Sequence, residues 1–129
     1  MIEPPAFMRA LGFAIEHADE EEAVLRMDVP DTLVTPFGTV HGGVIAALFD
    51  TALAVAIARR LPAPNRIATH NLNVNYVAFA RDRLLRCRAR VVSLRTTVAL
   101  AEGEVLDGAG RLVAKALGTF GVRRPAAEA

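Results

Sequence analysis

The sequence GTVHGGVIAALFDTA, residues 38–52, contains the start of the longest apolar segment in the chain. Residues 44–60 are rich in alanine and leucine and stop just before Pro62, a composition that predicts a helix apolar on nearly every face. A helix of this kind is buried on all sides in a folded protein. His41, Gly42 and Gly43 come immediately before it, so we expect the helix to begin next to a glycine pair.

Asp50 is the one acidic residue within the apolar part of this helix, residues 44–58. An ionised carboxylate is costly to bury unless it is paired, and only Thr51 accompanies it there as a polar neighbour. The ordinary structural interpretation is a solvated aspartate or one satisfied by a nearby hydroxyl. The functional interpretation is a carboxylate kept in an apolar helix because it takes part in chemistry.

The start of the helix offers a second chemical feature. The first amides of a helix have no internal acceptor, and the helix dipole adds partial positive charge there. A thioester or ester carbonyl placed against the amides at Gly42 and Gly43 would be polarised toward an oxyanion. The alternative is a plain turn into the helix, with His41 as a capping or core histidine.

The spacing of His41 and Asp50 bears on the assembly. On a helix, two residues nine positions apart lie on roughly opposite sides and ~13 Å from each other. If both are catalytic, the simplest arrangement uses Asp50 of one subunit and His41 with Gly42 of another. The sequence therefore predicts at least a dimer.

The rest of the chain has the two-residue period of strands after a weakly helical N-terminal segment, residues 4–11. Strands are predicted over residues 23–29, 67–79, 84–93, 98–106 and 112–122, the last two joined by a hairpin turn at Asp107–Gly108–Ala109–Gly110. Strands in direct succession imply an antiparallel sheet. We expect an α+β fold, with a sheet of about five to six strands curled around one long central helix.

Length and composition limit the functional class. With 129 residues, 53% of them hydrophobic, the chain fits a single domain spanning residues 1–129, and its apolar surplus favours an oligomer. A formal net charge of +1 gives no field for nucleic acid, and no segment is long and apolar enough to predict a membrane span or an export signal. Cys87 is the only cysteine, which suits a cytoplasmic protein. The scattered His17, His41 and His70 predict no metal site.

The same string, followed by RIATHNLNVNYVAFA and three further strand-like segments, resembles the hotdog-fold acyl-CoA thioesterases of the phenylacetic-acid-degradation type and their 4-hydroxybenzoyl-CoA thioesterase relatives. The resemblance covers residues 22–122, nearly the whole chain. It implies hydrolysis of a coenzyme A thioester without a cofactor, in a site between two subunits of a dimer or a dimer of dimers.

The resemblance also implies residue roles. The Gly42 amide would polarise the thioester carbonyl, and His41 would shape that pocket. Asp50 of the neighbouring subunit would attack directly or activate a water, and Thr69 would position that water. The residues expected beside the substrate are Thr35, Phe37, Gly38 and Gly43. Members of the family often have an asparagine where this chain has Thr35.

Thr69 raises a geometric difficulty. Its position has the parity of Asn71, Asn73 and Asn75, which form the polar face of the predicted strand, rather than that of the core face. Thr69 can reach the site only through a β-bulge or at the edge of the sheet.

Arginines form two groups in the second half of the chain. Arg81, Arg83 and Arg95 stand at strand ends, where they suit the phosphates of coenzyme A; the alternative is solvation or pairing with the acidic residues 16–31. A second group shares one strand face and is predicted to be a solvated stripe that opposes edge pairing. Its members are Arg86, Arg88 and Arg90.

Three other functions fit parts of the pattern. A hotdog hydratase or dehydratase would need a catalytic histidine in a different motif, which the sequence lacks. A non-catalytic acyl-CoA-binding protein would keep the pocket without turnover. A purely structural oligomer would leave Asp50 unexplained. The acyl group is not specified by a pocket of small aliphatic side chains.

Overall fold

The computed structural model describes residues 5–125, so Pro4, the predicted start of the first helix, lies outside the described residues. Helix α1 is short, helix α2 is long, and the remaining elements are strands apart from a 3-10 turn at Asp31–Leu33. In chain order they are α1 (Ala6–Leu11), β1 (Phe13–Ala18), β2 (Ala23–Asp28), α2 (Gly42–Ala58), β3 (Arg66–Tyr76), β4 (Leu84–Leu94), β5 (Val98–Asp107) and β6 (Leu112–Arg123).

The six strands form one antiparallel sheet in the order β1-β2-β4-β5-β6-β3, and α2 packs against it. This arrangement is the hotdog fold, and it confirms the predicted α+β architecture. Strand β1 was not predicted from its own sequence. It is formed by tertiary pairing with β2 across a tight turn, in which the Asp19 carboxylate accepts the backbone N–H groups of Glu21 and Glu22 at 2.8 and 2.9 Å.

Helix α2 begins at Gly42, two residues earlier than predicted, because His41 caps it. The sheet covers one side of the helix only, so burial on all sides stays a prediction that needs a second subunit on the other side. The buried face consists of Val44, Ile45, Leu48, Phe49, Ala52, Leu53, Ala56 and Ile57. The opposite face, which includes Ala47, Asp50, Thr51 and Ala54, is half-buried. Within residues 5–125 no helix is long and apolar enough to cross a membrane.

Glycines on the sheet let α2 approach closely. A Cβ atom on Gly103 would lie 2.8 Å from the Arg88 carbonyl oxygen and 3.3 Å from the Leu53 side chain. On Gly118 it would lie 3.0 Å from the same leucine. Close contact between the helix and the middle of the sheet fixes where Asp50 stands relative to the neighbouring strands.

The arginine stripe of β4 does not protect an edge. Strand β4 lies between β2 and β5, so the prediction that the stripe opposes edge pairing is wrong. Its three arginines point away from α2, and each forms an ion pair on a neighbouring strand or turn. The pairs are Arg86 with Glu16, Arg88 with Glu22 and Arg90 with Glu102.

Candidate active site

At the start of α2, one backbone N–H group has no acceptor among residues 5–125. The Gly43 N–H donates to His41 Nδ1 at 2.9 Å, and the Val44 N–H donates to the His41 carbonyl oxygen at 3.0 Å. The Gly42 N–H has no acceptor among residues 5–125. His41 therefore is the capping residue, and its cap leaves the Gly42 amide available to an external acceptor at the positive end of the helix dipole.

Tyr76 is a contact of this region that the sequence did not indicate. Its hydroxyl donates a 2.5 Å hydrogen bond to the Gly42 carbonyl oxygen from the end of β3. Burial raises the pKa of the Tyr76 phenol, so the group stays protonated and remains a donor near neutral pH. The only sequence signal was that Tyr76 shares a strand face with Leu72 and Val74, which is equally typical of a core aromatic.

Asp50 meets Thr69 within the same chain. Thr69 Oγ1 donates a 2.6 Å hydrogen bond to Asp50 Oδ1. The β3–β6 register shifts between Thr69 and Asn71, which makes His70 the extra residue of a β-bulge. The bulge, on a strand at the edge of the sheet, turns Thr69 toward the helix and resolves the parity difficulty of the sequence.

Thr35, Phe37 and Gly38 build the loop that leads into α2. Thr35 and Thr39 share a hydroxyl–hydroxyl hydrogen bond of 2.8 Å, and the Phe37 N–H donates to Thr35 Oγ1 at 3.2 Å. Gly38 has φ +79°, a left-handed conformation that favours glycine. The Thr35 hydroxyl thus stabilises the turn through these hydrogen bonds. Phe37 lies at the tip of the turn with 84% of its surface exposed.

A second loop adjoins this one. The Val40 N–H donates to the Ala80 carbonyl oxygen at 2.8 Å, which holds residues 77–80 next to the entry to α2. Phe79 is 77% exposed there, and the Arg81 guanidinium lies 5.8 Å from the centre of its ring. Two exposed aromatic rings therefore belong to the loops beside the helix start.

The strand-end arginines have different environments. Arg83 Nη1 contacts Asp31 Oδ1 at 2.7 Å and the Val29 carbonyl oxygen at 3.3 Å, the pairing with the acidic region that was the alternative interpretation. Arg81 and Arg95 form no ion pair among residues 5–125. In the same part of the chain, no group of three or more potential metal ligands occurs.

Residues 37–114 match the family model of the thioesterase superfamily. The chain belongs to the thioesterase superfamily. The protein is 38% identical over 104 residues to a proposed esterase of Halobacterium salinarum. The matched region covers 77% of this chain and 68% of that protein. The protein is 22% identical over 114 residues to 1,4-dihydroxy-2-naphthoyl-CoA hydrolase of Listeria monocytogenes, covering 88% and 93%.

Solved structures of superfamily members share the fold. A single-residue mutant of the phenylacetic acid degradation protein PaaI from Thermus thermophilus superposes with a TM-score of 0.82 at 31% identity, covering 94% of this chain and all of that one. A phenylacetic-acid-degradation-related protein of Ralstonia eutropha superposes with a TM-score of 0.86 at 30% identity, covering 93% and 92%. The resemblance found in the sequence is confirmed by these comparisons.

Proposed function

We propose that this protein hydrolyses acyl-CoA thioesters, with Asp50 as the catalytic carboxylate and Gly42 as the donor to the carbonyl oxygen. The observation that carries the proposal is the Asp50–Thr69 hydrogen bond, formed on a helix whose Gly42 amide has no acceptor among residues 5–125. The chain thus has the two groups that acyl transfer needs: a held carboxylate, and a donor where negative charge develops. Its membership of the thioesterase superfamily supports the same reaction.

The Gly42 N–H would bind the thioester oxygen as it becomes an oxyanion. Its position in the first turn of α2 adds the helix dipole to the hydrogen bond. His41 supports this role by holding the Gly43 N–H through Nδ1, and Tyr76 fixes the Gly42 peptide from the carbonyl side. The donor is therefore pre-organised before the substrate arrives.

Thr69 holds Asp50 through Oδ1, which leaves Oδ2 without a partner in the described residues. Two balanced routes use the free oxygen. As a general base, Asp50 takes a proton from water, the hydroxide adds to the carbonyl carbon, and collapse expels the CoA thiolate, which leaves as the thiol after protonation. As a nucleophile, Asp50 adds to the carbonyl and expels the thiolate, and water then hydrolyses the anhydride.

We place the complete site between two subunits. Gly42 and Asp50 are eight positions apart on one helix, about 12 Å along its axis, which is too far for both to reach one carbonyl group. The half-buried, alanine-rich face of α2 that carries Asp50 is available for a second copy of the chain. In that assembly Asp50 and Thr69 of one subunit would face Gly42 and His41 of the other.

The test is release of free thiol from a panel of aryl-, short- and medium-chain acyl-CoA substrates. Asp50→Asn keeps the size of the side chain and should reduce kcat by at least about a thousandfold, as expected for loss of a catalytic base or nucleophile. Asp28→Asn makes the same carboxylate-to-carboxamide change at an exposed position on β2. It is the matched control and should keep full turnover. Wild-type turnover by folded Asp50→Asn protein would contradict the mechanism.

The shared site has its own test. Asp50→Asn and His41→Ala chains, each inactive alone, should regain activity when unfolded together and refolded as mixed oligomers, because one of the two sites then has both groups. No regained activity in mixed oligomers would contradict a site shared between subunits. Single turnover in H₂¹⁸O tests the nucleophilic route, because ¹⁸O enters the Asp50 carboxylate only when water hydrolyses an anhydride at the Asp50 carbonyl.

A further inference from the structure

On the outer face of the sheet, the side away from α2, some arginines form ion pairs and others do not. On β4 every arginine of the stripe is matched by a carboxylate, and Lys115 of β6 stands 3.9 Å from Glu104. At the other end of the same face, Arg66 of β3 and Arg123 of β6 have no ion pair among residues 5–125. The chain therefore concentrates unneutralised positive charge at one corner.

Arg66 and Arg123 are directly opposite each other in the β3–β6 ladder. Like charges at opposed positions destabilise a pair of strands. An anion bound between the two guanidinium groups would relieve this repulsion. The next positions along the ladder, Ala68 and Gly121, are also paired and carry little or no side chain.

His70 completes this corner. It is the extra residue of the bulge, and its ring lies over Gly121: a Cβ atom on that glycine would be 2.5 Å from His70 Nε2 and 2.7 Å from its Cε1. Only glycine leaves the imidazole this position without displacing it. Arg66, His70, Thr97 and Arg123 line a groove together with the small residues Ala68 and Gly121.

We propose that this groove, lined by Arg66, His70 and Arg123 over Ala68 and Gly121, binds a phosphate ester group. Guanidinium groups present paired N–H donors that match phosphate oxygens, and donors from two strands and a bulge approach a tetrahedral anion from different directions. The small residues of the groove leave room for the phosphate to reach both arginines. Binding would also remove the repulsion between Arg66 and Arg123.

Two sources supply this chemistry: the nucleotide end of a CoA substrate, or a separate phosphorylated metabolite. Only the first rests on the proposed function. The groove and the Asp50–Thr69 pair lie on opposite faces of the same part of β3, since Thr69 contacts the helix and the next residue, the bulged His70, lies over Gly121 on the outer face. A ligand that crosses the edge of the sheet would contact both.

The experiment is calorimetric titration of the folded protein with 3′,5′-ADP and, separately, with inorganic phosphate. Arg66→Gln and Arg123→Gln should each weaken 3′,5′-ADP binding by about tenfold or more, as for loss of a charged hydrogen-bonding partner. Arg90→Gln removes an arginine from the same face that is already paired with Glu102, and its affinity should match the wild type. Gly121→Ala should also weaken binding, because the added methyl group displaces His70 without changing the charge.

A measurement without ligand checks the same groove. Arg66→Gln should raise Tm in ligand-free buffer, and 3′,5′-ADP should raise the Tm of the wild type more than that of this variant. Absence of binding by the wild type to both probes would overturn the proposal. Equal affinities of Arg66→Gln, Arg123→Gln and Arg90→Gln would overturn it as well.

Turnover separates the two sources of phosphate. If the nucleotide of the substrate lies in the groove, Arg66→Gln lowers kcat/KM for acyl-CoA and leaves kcat/KM for the matching acyl-pantetheine unchanged. If a separate metabolite binds there, titration shows the loss of affinity while both kcat/KM values stay at the wild-type level. Titration does not depend on turnover, so an inactive but ligand-binding protein would overturn the proposed function and leave the groove supported.

Discussion

Thr69 Oγ1 donates a 2.6 Å hydrogen bond to Asp50 Oδ1, joining the edge strand of the sheet to the middle of the long helix. The two residues are 19 positions apart in the sequence and meet only because β3 has a bulge immediately after Thr69. The bond fixes one carboxylate oxygen and leaves the other without a partner among residues 5–125. It is the contact on which the proposed chemistry depends most directly.

Removing the Thr69 hydroxyl should impair turnover more than stability. Thr69→Val keeps the branched shape and removes the donor, so we expect kcat to fall by about 10- to 100-fold, the range for loss of a hydrogen bond to a charged group. KM should change little, because Thr69 acts on the carboxylate. Thr69→Ser keeps the hydroxyl and serves as the control in steady-state thiol-release assays. Equal kcat values for the valine and serine variants would show that the bond has no part in the reaction.

Tyr76 should act as a positioning residue for the helix start. Tyr76→Phe removes only the hydroxyl that binds the Gly42 carbonyl oxygen, so we expect kcat to drop by about tenfold with an unchanged KM. The free energy of unfolding should fall by at most about 1 kcal/mol, since the side chain is half exposed. Val77→Ala, at the next and similarly exposed position, is the matched control and should leave kcat unchanged. The prediction is wrong if thiol release by Tyr76→Phe proceeds at the wild-type rate.

The close approach of α2 to the sheet should make Gly103 intolerant of a side chain. Gly103→Ala would place Cβ 2.8 Å from the Arg88 carbonyl oxygen, and backbone on the adjacent strand cannot move away cheaply. We expect a loss of about 1–3 kcal/mol in the free energy of unfolding, measured by urea denaturation, as for overpacking of a core. Glu104→Ala, the next residue on the outer face, should cost much less. A Gly103→Ala protein as stable as the wild type would mean that the strands are farther apart in solution.

Asp107 should make the free energy of unfolding depend on pH in the acidic range. Its Oδ1 accepts the N–H groups of Arg111 and Ala109, both at 2.9 Å, and Arg111 Nε binds Oδ2. These contacts lower the pKa of the Asp107 carboxyl below its ordinary value, and the backbone hydrogen bond from Arg111 contributes most to this shift. The stabilisation is therefore complete above the unfolded-state pKa of about 3.9 and is lost as the pH falls through the lower folded-state pKa.

Asp107→Asn tests this linkage. The difference in unfolding free energy between the wild type and this variant should be largest near pH 7 and should shrink below about pH 4. Asp28→Asn, at an exposed aspartate, is the control and should show a smaller difference at pH 7. A difference that stays constant from pH 7 to pH 3 would contradict the assignment.

Regular patterns in the sequence were sufficient for most of the architecture. The two-residue period predicted five of the six strands within a few residues, and the alanine-rich run predicted α2. Strand β1 was not predicted, because its alternation is weak and its formation depends on pairing with β2 across the Asp19 turn. The arginine stripe of β4 was assigned to an edge because the alternation of a strand gives its faces but not its place in the sheet.

By itself, the sequence indicated which residues are candidates for chemistry and which face most strand positions occupy, because side-chain identity and periodicity are local properties. The face of Thr69 is the exception, since a bulge sets it. Asp50 in an apolar helix and the His41–Gly42–Gly43 start were visible in that way. Only the tertiary structure decided which of them meet. Thr69 reaches Asp50 through a bulge, Tyr76 reaches Gly42 across 34 positions, and Arg66 faces Arg123 across two strands. Contacts of this kind depend on strand order and register, which are set by the packing of the whole sheet around α2.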